Sequence, residues 1–240
     1  DGDRLLGAFN IPMPHWLDFF CYTMFVDRDG KFQLGMLSTS AFKPLAASMG
    51  PMLKEEAFHL GTGFNGLRRI IKAGVLPLDM LQRYINKWVS TAHDLFGVDA
   101  SSSAHWAYVW GVKGRWDERK KLDAGVEVDK ATLNEESRGH YHHEIVGEVR
   151  KLCGYLPEGA TELYVPHENF NRNIGVAKGQ KFNVDGTPFE GSDDEWTTYM
   201  TTVLPTDQDE EDLKAYFEQE WIANKPMSTR QIESGIGASA

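Results

Sequence analysis

Basic charge, cysteine and long apolar runs are all scarce in this sequence. Lysine and arginine number 25 against 35 aspartate and glutamate residues, which gives a formal net charge of −10 and a pI of about 5.3. Because a nucleic-acid-binding protein presents a basic face, this balance argues against that class. The two cysteines can form at most one disulfide bond, and we expect both to be buried free thiols.

Several motifs that define enzyme classes are also missing. The chain has no Gly-x-Gly-x-x-Gly, no P-loop and no Gly-x-Ser-x-Gly, so nucleotide-fold and hydrolase functions lack support. No apolar run reaches the roughly 18 residues that a membrane span needs. The start, Asp1-Gly2-Asp3-Arg4, carries neither a signal peptide nor an initiator methionine. We therefore expect a cytoplasmic protein without membrane or nucleic-acid partners, and a chain that begins partway through a longer protein.

The sequence does contain enough apolar material for a large helical core. Hydrophobic residues make up 41% of the 240 residues, and aromatic residues make up 12%. Apolar residues recur at spacings of three, four and seven, which predicts helices. Proline suits the first turn of a helix, so Gly50-Pro51 predicts a new helix start after a short helical piece. The predicted helices cover residues 15–38, 50–72, 77–95, 101–112, 133–152 and 207–221.

The character of the chain changes after residue 154. Segments such as TELYVPHENFNRNIGV and KFNVDGTPF are rich in turn residues and β-formers, and Asp185-Gly186 is a hairpin signal. We predict a mainly α fold, with a helical bundle over residues 1–154. A small irregular or β appendage over residues 155–240 would contain a hairpin-like segment and end in a helix.

Glu56-Ala57-Phe58-His59 is a Glu-x-x-His pair on one face of a predicted helix. In carboxylate-bridged di-metal bundles such a pair provides one carboxylate and one imidazole to a metal ion, and iron or manganese suits this donor set. The preceding helix offers Asp27, a carboxylate in an otherwise apolar stripe. Antiparallel neighbours would bring Asp27 opposite Glu56 and His59. The short pattern by itself also occurs in helices that bind no metal.

Other acidic and histidine residues compete for the same role. Asp29 faces away from the Asp27 stripe, and Glu55 has an i+4 rather than an i+3 relation to His59. Three histidines within four positions cannot all face one point of a helix, so the cluster near residue 142 is expected to be a solvated helix start. That cluster contains His140, His142, His143 and Glu144.

Longer stretches resemble one known family. In chain order these stretches are LLGAFNIPMPHWLDFFCYTMFVDRDGKFQLGML, FKPLAASMGPMLKEEAFHLGTG, the short segments DLFG, SSSAHWAY and GVKGR, and PHENFNRNIGVAKGQKFNVDG. In this order the stretches are similar to the oxygenase components of benzoyl-CoA epoxidases, over nearly the whole chain. DRDGKFQL followed about two dozen residues later by Glu-Glu-Ala-x-His is far more specific than Glu-x-x-His alone.

The resemblance implies a ferritin-like helical core with a di-iron centre. It implies O2-dependent 2,3-epoxidation of benzoyl-CoA in aerobic aromatic degradation, with electrons from an NADPH-dependent partner reductase that contains FAD. The metal ligands implied for this chain are Asp27, Glu56 and His59. No catalytic residue beyond these ligands and no residue of an acyl-CoA pocket is assigned.

This ligand set is half of the family's set, because family members carry a first Glu and Glu-x-x-His set upstream of the similar region. Two arrangements would complete the site: the chain is the later part of a longer protein, or two chains pair as a symmetric homodimer. Without either, the chain is an inactive fragment. Two other functions stay open, namely a related di-iron oxygenase acting on another acyl-CoA such as phenylacetyl-CoA, and a non-catalytic helical half-domain that binds a partner.

Overall fold

The computed structural model describes residues 7–114, 123–125 and 132–217, and these residues are mainly α-helical. The fold class predicted from the sequence, a mainly α ferritin-like bundle, is confirmed. A 3₁₀ turn, Gly7–Asn10, comes first, and a π-helical turn, Tyr22–Val26, separates the first two α-helices. The α-helices are α1 (Trp16–Cys21), α2 (Asp27–Leu37), α3 (Lys43–Ala73), α4 (Leu78–Leu95), α5 (Ser102–Val109), α6 (Leu133–Cys153), α7 (Asp193–Val203) and α8 (Asp207–Phe217).

The chain divides into two compact units, residues 1–205 and residues 206–240. The first unit contains α1 to α7. The second contains α8, whose first turn is closed where Asp209 accepts hydrogen bonds from the backbone N–H and the hydroxyl of Thr206. The domain division expected at residue 155 stays a prediction. The charged stretch after residue 114 lies largely outside the described residues, as does the end of the predicted final helix.

The helix predicted over residues 15–38 forms, but it is not uniformly α-helical. α1 passes into the π-helical turn, in which the backbone N–H of Asp27 donates to the carbonyl of Tyr22, five residues earlier. α2 continues from Asp27 through Gly30, although Asp and Gly in this stretch favour a turn. Tertiary packing therefore outweighs local propensity here, since Phe32 and Met36 on α2 are fully buried.

α3 is a single helix of 31 residues, so the predicted break at Gly50-Pro51 is wrong. Proline inside a helix removes one hydrogen bond and strains the preceding turn. Gly50 and Pro51 are both exposed, so water can satisfy the carbonyl that loses its partner. The predicted end is confirmed, because Gly74 adopts a left-handed conformation and its N–H bonds the carbonyls of Ile70 and Ile71.

α4 and α6 supply most of the remaining core. α4 is strongly amphipathic, and its predicted apolar face is buried, with Tyr84 and Trp88 fully enclosed. α6 buries Tyr141, Ile145 and Val149 along one stripe. α1, the π-helical turn and α2 pack between these helices and α3. In the described residues no helix has the length and apolar character needed to cross a membrane.

The predicted hairpin at Asp185-Gly186 forms as a tight turn with one isolated bridge, between Phe182 and Pro188. Gly186 takes a φ of +87°, which glycine adopts without strain. α7, which was not predicted, follows this turn. Its N-terminus is a capping box between Ser192 and Glu195. That Ser-x-x-Glu signal was present in the sequence and would have located the helix.

The segment from α1 to α2 runs antiparallel to α3, and the two meet closely. A Cβ on Gly63 would lie 2.5 Å from the Met24 backbone nitrogen, which is closer than atoms pack, so only glycine fits there. Residue numbers rise on one side of the seam as they fall on the other. The contacting pairs are Phe20 with Gly66, Met24 with Gly63, Asp27 with His59, and Gly30 with Glu56.

Candidate metal centre

Asp27, Glu56 and His59 converge at the seam between α2 and α3, and we call these three residues the donor cluster. His59 Nδ1 lies 3.7 Å from Asp27 Oδ2 and 3.8 Å from Glu56 Oε2. One donor atom from each residue lies within 4.8 Å of the other two. The structure therefore brings together the three residues that the sequence singled out.

Two features of the local fold direct these side chains toward one another. On α3, Glu56 and His59 are separated by three positions, so both project from one helix face. On the facing segment, Asp27 is the first residue after the π-helical turn. Turns of this type are rare and occur frequently at functional sites. The antiparallel register then sets Asp27 against His59.

The carboxyl groups of the donor cluster bind protons more tightly than usual. The pKa of Asp27 is raised from 3.8 to about 6, first by burial and then by the negative charge of Glu56, while His59 opposes the rise. Burial also raises the pKa of Glu56, and Glu55 adds to this effect while His59 again opposes it. The cluster thus holds two partly buried acids with too little positive charge beside them, a deficit that a bound cation would remove.

The geometry of the donor cluster fits a metal ion. Bonds of about 2.1 Å place two atoms bound to one cation no more than about 4.2 Å apart. The 3.7 and 3.8 Å separations from His59 satisfy this limit. Glu56 Oε2 is buried and has no hydrogen-bond partner among the described residues. A buried carboxylate oxygen without a partner is costly, and a metal bond would compensate for it.

One side of the donor cluster is open. The His59 side chain is 48% exposed, whereas 19% of the Asp27 side chain and 20% of the Glu56 side chain are exposed. The neighbouring Phe58 is 74% exposed. The face of α3 that carries Glu56 and His59 is buried at Gly63 and Leu67 but exposed at its N-terminal end. His59 therefore lies at the surface of this chain rather than inside its core.

The two competing carboxylates do not join the donor cluster. Glu55 is exposed. Asp29 is buried and points to Gln33, whose amide donates to Asp29 Oδ1 at 3.0 Å. Lys113 donates to Gln33 Oε1 at 2.8 Å. Burial raises the pKa of Asp29 to about 7, against the lowering effects of Gln33 and Lys113. Asp29 thus lies in a buried polar network behind the donor cluster.

The cluster around residue 142 is solvated only in part: His140 and His143 are exposed as expected, whereas His142 and Glu144 contact other helices. Glu144 accepts from both Arg28 and Lys31 on α2, and it is half-buried. His142 Nδ1 and His93 Nε2 lie 3.2 Å apart, and His93 is fully buried. Burial lowers the pKa of His93 well below its usual value. No local pattern indicates these contacts, because each joins residues about 50 or more positions apart.

A cavity of about 530 Å³ lies elsewhere, lined by the loop after α4, by α5, by the start of α6 and by the segment 169–177. None of its lining residues belongs to the donor cluster. Two arginines in its wall are already engaged, because Arg172 bonds Asp94 at 2.6 Å and Arg138 bonds Glu168 at 3.3 Å. The cavity is therefore separate from the candidate metal centre, and we assign no ligand to it.

Residues 4–162 match the family model described as phenylacetic acid catabolic protein. The chain belongs to this family. Benzoyl-CoA oxygenase component B of Aromatoleum evansii is 34% identical over 250 residues, covering 87% of this chain and 52% of that protein. One component of the 1,2-phenylacetyl-CoA epoxidase of Escherichia coli strain K12 is 24% identical over 179 residues, covering 74% of this chain and 52% of that protein.

The family match covers the donor cluster and every helix from α1 to α6. This chain spans about half the length of the two relatives. The recognition made from the sequence is confirmed at the level of the family. The assignment of Asp27, Glu56 and His59 as metal ligands stays a prediction.

Proposed function

We propose that this member of the phenylacetic acid catabolic protein family is the oxygenase component of an aromatic acyl-CoA epoxidase. In this proposal the donor cluster forms half of a di-iron centre. The observation that carries the proposal is the convergence of two carboxylates and one imidazole within 4.8 Å, on antiparallel helices. Mixed oxygen and nitrogen donors of this kind suit iron.

Asp27, Glu56 and His59 would hold the metal. Glu56 Oε2 is buried and without a hydrogen-bond partner among the described side chains, so it is free to bind. Burial raises the pKa of Asp27, the charge of Glu56 adds to this rise and His59 opposes it, so the three groups interact electrostatically. Bound iron would supply the activation of O2 that adds one oxygen atom to the aromatic ring. The carboxyl groups of Asp27 and Glu56, each about one-fifth exposed, would hold the ion on the side of the cluster that faces the bundle.

The open side of the cluster is where further ligands would bind the second iron. The donor cluster supplies three ligands, and the four-helix type of di-metal site uses two further helices for its other half. A preceding region of a longer chain or a second copy of this chain would supply them. Metal content per chain and molar mass of the intact protein separate these two sources.

The names of the two relatives support a choice of substrate. We propose benzoyl-CoA, because the more similar relative is named benzoyl-CoA oxygenase component B. The word component implies partner proteins, and we propose as electron donor the reductase using NADPH and FAD that the sequence resemblance implies. Phenylacetyl-CoA is the alternative substrate, suggested by the name of the second relative. The two differ by one methylene group, so direct comparison of their turnover is required.

The metal part of the proposal is tested by iron content and visible absorption of the intact protein. We expect Glu56→Ala and His59→Ala to remove most of the iron. Glu55→Ala is the matched control, because it deletes an exposed carboxylate one position away and should leave iron content unchanged. An intact protein that binds no iron under reducing, anaerobic loading would overturn the proposal and support a non-catalytic helical protein.

The substrate part is tested by turnover with the reductase, NADPH and ¹⁸O₂. We expect benzoyl-CoA to gain one labelled oxygen atom in the intact protein, and to gain none in the His59→Ala variant. Faster labelling of phenylacetyl-CoA would replace the substrate but keep the reaction. Iron binding without labelling of either thioester would contradict the epoxidase assignment but not the metal part of the proposal.

A further inference from the structure

Gly30 occupies an unusual position in the middle of α2. Glycine is among the poorest helix formers, and an alanine would strengthen the helix at this place. The φ of Gly30 is helical rather than left-handed, so backbone conformation does not require glycine there. What lies against Gly30 offers a reason for a glycine at this position.

The neighbour of Gly30 is the carboxyl group of Glu56. A Cβ built on Gly30 would lie 3.3 Å from Glu56 Oε1, 3.4 Å from Cδ and 3.6 Å from Oε2. All three of the nearest atoms therefore belong to one carboxyl group. Gly30 also follows Asp27 by three positions, so the two share a face of α2. The carboxyl group of Glu56 lies over the bare backbone beside Asp27.

Other glycines on this seam have a different role. Gly63 and Gly66 allow close packing, because a Cβ on either would collide with the Met24 backbone or the Phe20 ring at 2.5 Å or less. At Gly30 the added atom would meet the end of a flexible side chain, which can move by a few tenths of an ångström. A methyl group at position 30 should therefore displace the carboxyl group without disturbing the helices.

We propose that Gly30 is a positioning residue that sets the carboxyl group of Glu56 for metal binding. The inference rests on the proposed metal role of the donor cluster. Gly30 leaves space on α2 for the carboxyl group of Glu56, whose Oε2 lies 3.8 Å from His59 Nδ1. A side chain at position 30 pushes the carboxyl group out of that space, so the ion loses its best geometry with one ligand. Replacement of a residue that orients a metal ligand typically lowers metal affinity by about 10- to 100-fold.

The test is Co²⁺ binding to the intact protein, followed by visible absorption, together with thermal unfolding of the metal-free form. We expect Gly30→Ala to weaken Co²⁺ binding by about 10-fold and to change the Co²⁺ spectrum. Gly30→Val should weaken binding further. The melting temperature of metal-free Gly30→Ala should stay level or rise by a few degrees, because alanine favours the helix.

Gly61→Ala is the matched control. Gly61 also lies inside a helix near the donor cluster, and a Cβ there would meet nothing within 4 Å. We expect its melting temperature to rise as in Gly30→Ala, with unchanged Co²⁺ affinity and spectrum. The opposite directions of metal affinity and stability in Gly30→Ala separate a positioning role from a packing role.

The outcomes distinguish this inference from the proposed function. If the wild-type protein binds Co²⁺ and Gly30→Ala binds it equally with the same spectrum, the inference fails and the proposed function stands. If Gly30→Ala loses affinity and stability together, or if Gly61→Ala loses as much affinity, Gly30 does not act through Glu56. If the wild-type protein binds no metal, both fail.

Discussion

The buried carboxyl group of Asp29 should make the stability of the metal-free protein depend on pH. Asp29 is 4% exposed, and burial raises its pKa from 3.8 to about 7. The folded protein therefore holds this proton more tightly than the unfolded chain. Stability is greatest below the unfolded pKa and is lost as pH rises through the folded pKa. Asp29→Asn removes the charge while keeping the size and the oxygen that accepts from Gln33.

The expected magnitude follows from the two pKa values. Each pKa unit corresponds to about 1.4 kcal/mol, so a rise from 3.8 to about 7 costs the folded state about 4 kcal/mol once the group is ionised. About 1.5 kcal/mol of this cost is already present at pH 5. Relative to wild type, Asp29→Asn should therefore gain about 2.5 kcal/mol in free energy of unfolding between pH 5 and pH 8.

The assay is urea unfolding of chelator-treated protein at several pH values from 5 to 8.5. Removal of metal is essential, because a cation in the donor cluster would change the charge beside Asp29. Asp79→Asn is the matched control, since the Asp79 side chain is 73% exposed and its hydrogen bond to Arg83 lowers its pKa. We expect Asp79→Asn to show no such gain with pH. Parallel pH profiles for wild type and Asp29→Asn would refute the reasoning.

Two further predictions concern contacts of the π-helical turn, one with α3 and one with α6. Gly63→Ala should lower the free energy of unfolding by about 2 kcal/mol and the melting temperature by about 4–8 °C, because its Cβ would lie 2.5 Å from the Met24 nitrogen. The control Gly61→Ala should not lower the melting temperature. Tyr141→Phe should lower the free energy of unfolding by about 1–2 kcal/mol, because the buried hydroxyl donates to the Phe25 carbonyl at 3.0 Å. Urea unfolding should then show a lower midpoint with an unchanged slope. An unchanged midpoint would contradict a stabilising role for this hydrogen bond.

Periodic patterns in the sequence were enough to predict the main helices and the residues of the donor cluster. The apolar stripe of α4 and the αL glycine that ends α3 depend on local spacing and local backbone conformation, which can be read from the sequence. The convergence of Asp27 with Glu56 and His59 was also predictable, because it needs only two adjacent antiparallel helices. The exposure of His59 was not, since periodicity shows which residues share a face but not what covers that face.

Predictions from the sequence fail where tertiary contacts outweigh local signals. Pro51 indicates a helix start, yet α3 continues through it because the rest of the helix is held by its seam with α2. Glu144 and His142 were expected to be solvated, but they meet Arg28 and His93 across the bundle. Such contacts join distant residues, and no local pattern encodes them.

The π-helical turn sets the direction in which Asp27 points. Successive residues of an α-helix are rotated by about 100°, and the wider turn absorbs one extra residue, so Asp27 takes the direction that the residue before it would have in an uninterrupted α-helix. If Tyr22–Val26 closed into a regular α-helix with all its residues kept, Asp27 would swing by about 100° off the face that meets α3. A relative that lacks both the extra residue and the π-helical turn should therefore still present this carboxylate to α3.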